Sequence, residues 1–369
     1  MKELENQVRV LGEELLGVLQ SSSHNFFDPN NLTEKFLSLG MKNEQLKVAL
    51  FRFVDVLANL ETSPAIIRHV QEYFDPLRGE LPELLFKAMA ISPNSLTGAV
   101  ISRAIKQQIK FVAKKFFVGH DAKSSVKALK KINDKGYCFT VDLVGESAVS
   151  EHEAEQYKNN YLDLIKTLNQ KSQDWESPKS LKNHKNGPYI NNISVKLSAL
   201  YSRAKAVATE HSVEKIYEKL LPILKLAQEQ NTYVYIDMED CSMTEITLEV
   251  FKKAISEFKD NHKIGIVLQA YLKRTENDIK DLSEVIKKRG CPVGVRLVKG
   301  AYWDTETILA EQKGWEIPVW QTKSSSDANY EKLTEILLDN NDLFIAAFAS
   351  HNIRSVSYTH LTLPTICSV

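Results

Sequence analysis

Nine polar residues stand at or near the ends of runs that are otherwise apolar and strand-like. Asp142 lies in "YCFTVDLVG" (137–145), Lys196 in "SVKLSAL" (194–200), Asp237 and Glu239 in "TYVYIDME" (232–239), and Gln269 in "KIGIVLQAY" (263–271). Arg296 and Lys299 fall in "VGVRLVKGAYWDTE" (293–306), and His351 with Asn352 ends "LFIAAFASHN" (343–352). A polar group buried without a partner costs about 2–7 kcal/mol, so these side chains must meet each other or a ligand. The segment 293–306 suggests which ligand. Gly300 permits close approach to the backbone, and the amides from Lys299 to Ala301 can donate to an anionic or carbonyl-rich group. Arg296 presents a planar fork to a delocalised acceptor edge, while Tyr302 and Trp303 offer aromatic faces. Together they suit a large, flat, electron-accepting cofactor carrying phosphates, and not a metal.

Each residue also has a plainer reading. Asp142 and Glu239 can cap helices or pair with lysines of the sheet. His351 alone would be a structural histidine, and its place beside Asn352 at a strand end is what draws it into the site. Lys196, flanked by apolar residues, is no solvated surface lysine. It also allows a Schiff-base lyase in which it is the nucleophile.

The elements that must position these groups alternate. After Gly119, strand-like runs rich in Val, Ile and aromatics are each followed by a helical pattern, seven times if "PVWQTK" (318–323) is counted as a strand. That rhythm predicts an α/β fold with a parallel sheet, a distorted (βα)8 barrel lacking its last βα unit. No GxGxxG or GxxxxGK[ST] loop follows the first strand, which removes the main support for a Rossmann or P-loop fold. The first hundred residues read as helices. In "NEQLKVALFRFVDVLANL" (43–60), Leu46, Leu50, Phe53, Val54 and Leu57 share a face and Asn43 is placed to cap. Residues 95–117 form a second amphipathic helix with a basic, solvated outer face. The expected organisation is an N-terminal helical region over 1–95 and an incomplete barrel over 96–356. A tail over 357–369, "SYTHLTLPTICSV", has no periodicity continuous with what precedes it and is expected to be non-native.

The chain has 369 residues, with 47 Lys plus Arg against 47 Asp plus Glu, so no global field favours nucleic acid. Its 43% hydrophobic and 25% charged content is that of a globular protein. Four cysteines, Cys138, Cys241, Cys291 and Cys367, are scattered without metal-ligand or disulfide spacing. The N-terminus lacks the pattern of a signal peptide, and no apolar run approaches the ~20 residues that span a bilayer. A cytoplasmic protein is expected, with contact at a membrane surface left open.

The segments "VRLVKGAYWD", "SVKLSAL", "IDMED", "IVLQAYLKR", "FTVDLVGESAVS" and "ASHN" together resemble the proline dehydrogenase family. "LKVALFRFVDVLANL" looks like the helical region before the barrel in the family's bifunctional proline-utilisation members, and the likeness covers about residues 40–356. It implies a barrel holding FAD and oxidation of L-proline to Δ1-pyrroline-5-carboxylate, the first step of proline catabolism to glutamate. Electrons would pass to a membrane quinone through peripheral contact with the inner face of the cytoplasmic membrane. A homo-oligomer and a second dehydrogenase activity, on glutamate semialdehyde, would belong to the same setting. By motif, Lys196, Asp237 and Arg296 would be catalytic, with Lys196 on the proline carboxylate and Arg296 near the reactive flavin nitrogen. Gln269, Val298, Lys299, Gly300, Ala301, Ser350, His351 and Asn352 would hold FAD, and Tyr302 would wall the substrate pocket.

Two departures qualify the resemblance. The family's carboxylate-binding arginine pair, on the helix after the eighth strand, has no counterpart here. The 369-residue chain is therefore expected to retain FAD poorly and to turn over little proline, an inert truncated scaffold in the extreme. Nothing near the N-terminus resembles the ribbon-helix-helix DNA-binding segment of some relatives.

Overall fold

The computed structural model describes residues 2–21, 43–80, 86, 89–113, 117–145, 147–176, 191–261 and 263–362. They form two compact units, Gln20–His120 and the remainder, Met1–Leu19 with Asp121–Val369. Helix α1 (Lys2–Ser21) opens the chain. The smaller unit contains α2 (Glu44–Leu57), α3 (Ser63–Phe74) and α4 (Leu96–Ala113). Asn43 caps α2 as expected, its Oδ1 accepting from the Leu46 amide at 3.0 Å. Leu46, Ala49, Phe53 and Leu57 pack on Ile66, Ile67, Val70 and Phe74, with Phe53 edge-on to Phe74 at 5.6 Å between ring centres. Val54, expected on this face, is instead 39% exposed, because it lies one position round the helix from Phe53 and Ala49 completes the stripe. The basic face of α4 is not all solvated, since Lys106 donates to the Leu60 carbonyl at 2.6 Å. The expected division after residue 95 falls just before α4, inside this unit.

In the larger unit, strands and helices alternate. In order they are α5 (Ala122–Asp134), β1 (Val141–Asp142), α6 (Glu151–Ser172), β2 (Asn192–Val195), α7 (Thr209–Glu229), β3 (Tyr233–Ile236) and α8 (Cys241–Glu257). β4 (Ile264–Gln269), α9 (Thr275–Arg289), β5 (Val293–Val298), α10 (Trp303–Lys313), α11 (Lys323–Asp339), β6 (Phe344–Phe348) and α12 (Ile353–Thr362) follow. Every neighbouring strand pair is parallel, and the order β1-β2-β3-β4-β5-β6 is that of a TIM-like barrel wall. Start signals in the sequence fix the helices: Asp121 and Ser124 form a capping box on α5, and Ser150, Asp240 and Thr322 cap α6, α8 and α11.

Two expectations need correction. "PVWQTK" is not a strand of the sheet, because β5 pairs directly with β6, Val293 opposite Phe344. Val319 makes a single antiparallel bridge to Leu272 instead. Among the described residues the sheet therefore has six strands, with β1 and β6 at its edges, not a first and a seventh. At the other end, α12 runs unbroken through residue 357 and buries Ser357 and Tyr358, so the expected loss of periodicity there does not mark an element boundary. Residues 363–369 lie outside the described part.

Side chains two apart on a strand share a face. On the face that carries the site, Tyr235 of β3 lies opposite Gly265 of β4, which lies opposite Gly294 of β5. The two glycines make room for two tyrosines. A Cβ on Gly294 would sit 1.9 Å from the Tyr233 hydroxyl, and one on Gly265 would sit 2.6 Å from the Tyr235 ring. The tyrosine rings lie 5.0 Å apart, both buried, and floor the site. Gly294→Ala should therefore lower stability by about 1–3 kcal/mol through overpacking. Adding Tyr233→Phe, which removes the clashing hydroxyl, should recover part of that loss in the urea midpoint. Equal midpoints for parent and Gly294→Ala would show that the floor yields freely.

Candidate active site

The carboxyl ends of β1, β2, β3 and β5 bring four charged groups together. Lys196 follows β2 directly, and its Nζ lies 2.5 Å from Asp142 Oδ2 and 3.4 Å from Asp237 Oδ2. Asp237 follows β3, and its other oxygen accepts from Arg296 Nη2 at 2.5 Å and from Ser194 Oγ at 2.8 Å. The same Arg296 nitrogen reaches Ser194 Oγ at 2.9 Å, and its guanidinium carbon lies 5.0 Å over the Tyr235 ring. Two carboxylates and two cations thus balance, with Asp237 shared by both cations. Side-chain exposures of 11% for Lys196, 12% for Asp237 and 22% for Arg296 show how far water is displaced. Asp142 is more open, yet loss of hydration is the largest influence on it and raises its pKa, partly offset by Lys196.

Local structure explains why these residues converge. Ser194 and Lys196 share a face of β2, as do Tyr233, Tyr235 and Asp237 on β3 and Gly294 and Arg296 on β5. The Lys196 amide donates to the Tyr161 hydroxyl of α6 at 3.3 Å, and burial pushes that phenol's pKa far up, so it stays neutral. Glu239 turns to the segment after β2. It accepts from both the amide and the hydroxyl of Ser198, the amide at 3.0 Å. Ser198 in turn receives the Ser147 amide on its hydroxyl and the Ala148 amide on its carbonyl, which fixes the loop after β1.

Gln269 ends β4 and is 3% exposed. Its amide nitrogen donates to the Met238 carbonyl at 3.3 Å, while its Oε1 has no partner among the described residues. Val298, opposite Gln269 on β5, accepts the Ala270 amide on its carbonyl. Lys299 turns to α11, where its ammonium pairs with Asp327 and lies 5.5 Å over Tyr330. Gly300 adopts φ +131°, but the space its missing Cβ vacates is filled by the Tyr271 ring, 2.4 Å away. The glycine is thus required by a protein neighbour, where the sequence had suggested a ligand. Ala301 is exposed, Tyr302 is half-buried before α10, and His351 is exposed. Ser350 Oγ accepts from the Asn352 amide at 3.1 Å, and Asn352 Oδ1 caps α12 by accepting from the Ser355 amide at 3.0 Å.

The sequence reading missed Ser194, Tyr235, Tyr271 and Asp327. The first two carried a signal, because each lies two residues before a charged group already singled out on the same strand.

The proline dehydrogenase family model matches residues 125–365, and the proline utilization A N-terminal domain matches residues 5–116. The chain belongs to the proline dehydrogenase family. Bifunctional protein PutA of Klebsiella aerogenes is 28% identical over 264 residues, 70% of this chain and 19% of that protein. Proline dehydrogenase 1 of Bacillus subtilis subsp. natto is 30% identical over 67% of each chain. The chain thus spans about a fifth of the bifunctional relatives it matches. Among solved structures, proline utilization A from Bdellovibrio bacteriovorus, inactivated by N-propargylglycine, superposes with a TM-score of 0.85 at 37% identity, covering 97% of this chain and 36% of that one. The Bradyrhizobium japonicum protein, at 22% identity and a TM-score of 0.71, shares the fold.

Asp237→Asn should leave two partly buried cations without their common anion and lower stability by about 2 kcal/mol, less than for a fully buried pair. Asp142→Asn, at a 45% exposed side chain, should cost well under half of that. Paired thermal and urea melts check the ranking. Equal losses would mean that Asp237 is not the hub.

Proposed function

We propose that this chain carries the proline-oxidising site of a flavoenzyme, taking L-proline to Δ1-pyrroline-5-carboxylate with FAD as cofactor and a membrane quinone as the final electron acceptor. The observation that carries the reading is the neutral cluster in which Lys196 and Arg296 share Asp237. A site offering cations and carboxylates side by side suits a zwitterion, whose carboxylate and amine need opposite partners. The buried, unpartnered Gln269 Oε1 supports the cofactor, since it can accept from the N–H of a polar ring edge. Arg296 Nη2 is engaged by Asp237 and Ser194, and the rest of its fork can meet an acceptor edge beside Gln269. The backbone from Val298 to Ala301, with Ser350, His351 and Asn352, would complete the cofactor's surroundings.

Bound flavin supplies a hydride acceptor. The residues of the chain do the rest. Lys196 holds the proline carboxylate, and Asp237 fixes the direction of both cations. Hydride would pass from C5 of proline to that acceptor as the C5–N bond gains double character, and the amine must first give its extra proton to water, because a protonated amine would have to carry a second positive charge. Arg296 offsets the negative charge arriving beside it. Tyr302 walls the substrate side. A Schiff-base lyase is the weaker reading, because carboxylates 2.5 and 3.4 Å from Lys196 Nζ stabilise an ammonium and not the neutral amine such a nucleophile requires.

In a complete enzyme, Arg296→Met should slow flavin reduction by proline about a hundredfold or more, a much larger effect than its weakening of the fold. Stopped-flow absorbance measures this, and an unchanged reduction rate would remove the role. Borohydride trapping of a carbonyl substrate on Lys196, with no flavin uptake, would favour the lyase.

A further inference from the structure

Helix α1 lies against the first turn of α12, at the opposite end of the chain. Arg354 stands in that turn and is gripped on both edges. Its Nη1 and Nη2 reach the two oxygens of Glu5 at 2.6 and 3.0 Å, and its Nε and Nη2 reach those of Glu331 on α11 at 2.8 and 3.1 Å. About two turns further along α1 the two helices are again in contact. A Cβ on Gly12 would already touch Ile353 Cγ2 at 3.6 Å and Ser357 Oγ at 3.5 Å. Val8 is buried between these two contacts. The contacts of α1 with the first turn of α12 thus fall on residues 353 and 354.

Those residues directly follow Ser350–Asn352, the carboxyl end of β6, on the same side of the sheet as Gln269 and Arg296. The segment has few supports of its own: Ser350 and Asn352 bond to one another, and Asn352 caps the same first turn that α1 holds. We propose that α1 is a latch whose positioning residues, Glu5 and Gly12, set the β6–α12 turn and thereby the affinity of the site for its flavin. The cofactor part rests on the function proposed above; the mechanical part does not. Neither residue touches the charged cluster.

The test uses the full 369-residue chain and two variants that attack the latch differently. Glu5→Ala removes the ionic grip, and Gly12→Leu wedges the helices apart. Glu13→Gln, in an exposed pair with Arg9 on the same helix, is the control. Amide exchange without cofactor should quicken about tenfold or more over residues 350–356 in both variants, while β3 and β4 stay protected and the control matches the parent. FAD affinity, read by quenching of flavin fluorescence, should weaken about fivefold or more in both. Unchanged exchange over 350–356 in both variants overturns the latch, whether α1 itself loosens or not. Faster exchange with unaltered FAD affinity overturns its link to the cofactor. A parent chain that takes up no FAD overturns the link to the cofactor in this chain, while the exchange measurement still decides the latch.

Discussion

One carboxylate shared by two cations governs this molecule. Asp237 lies between Lys196 and Arg296 at the end of the sheet, where little water remains to solvate any of them. Removing an ion from water costs several kcal/mol, and mutual attraction repays it only when the geometry is good and the remaining hydrogen-bonding capacity is filled. The chain meets that condition with neutral groups. Ser194 adds a hydroxyl between Asp237 and Arg296, Tyr235 lends its ring face to the guanidinium, and Tyr161 takes the amide of Lys196. The sheet's parallel register is what sets these groups at one level, since each sits on the same face as its counterpart on the next strand.

Much of this was legible in the sequence. A polar residue that ends an apolar run is a strong signal, and Lys196, Asp237, Gln269 and Arg296 all carried it; Lys196, Asp237 and Arg296 meet one another as a burial argument requires, while Gln269 bonds the Met238 carbonyl. The start of α2 was legible because Asn43 is a cap with a local mechanism, and the same kind of signal at Ser150, Asp240 and Thr322 starts α6, α8 and α11. Less visible was everything that depends on partners far apart in sequence. "PVWQTK" has strand-like composition, but whether a short run joins a sheet is decided by its neighbours, and β5 and β6 already satisfy each other there. Lys299 lies three residues from Arg296 and looked like part of the same site, until Asp327 on a later helix drew it aside.

The glycines show the same limit. Gly300 in "VKGAY" suggests the close approach of a ligand, yet nothing local says what comes close. Tyr271 occupies the space, as Tyr233 and Tyr235 do over Gly294 and Gly265. A missing side chain announces a close approach; only the tertiary structure names the visitor.

Tyr271 has a wider consequence. Its amide donates to the Lys299 carbonyl, and its own carbonyl accepts from the Trp320 amide, both at 2.8 Å, while Trp303 donates its indole N–H to the Trp320 carbonyl. The segment that failed to become a strand therefore acts as a crossbar, riveted to β4 on one side and to the start of α10 on the other. A tyrosine pinned this way cannot swing aside, so the peptide at Gly300 is as stiff as the crossbar that braces it. Stiffness at this edge of the site originates in residues 318–320, some distance along the chain from any charged group of the cluster.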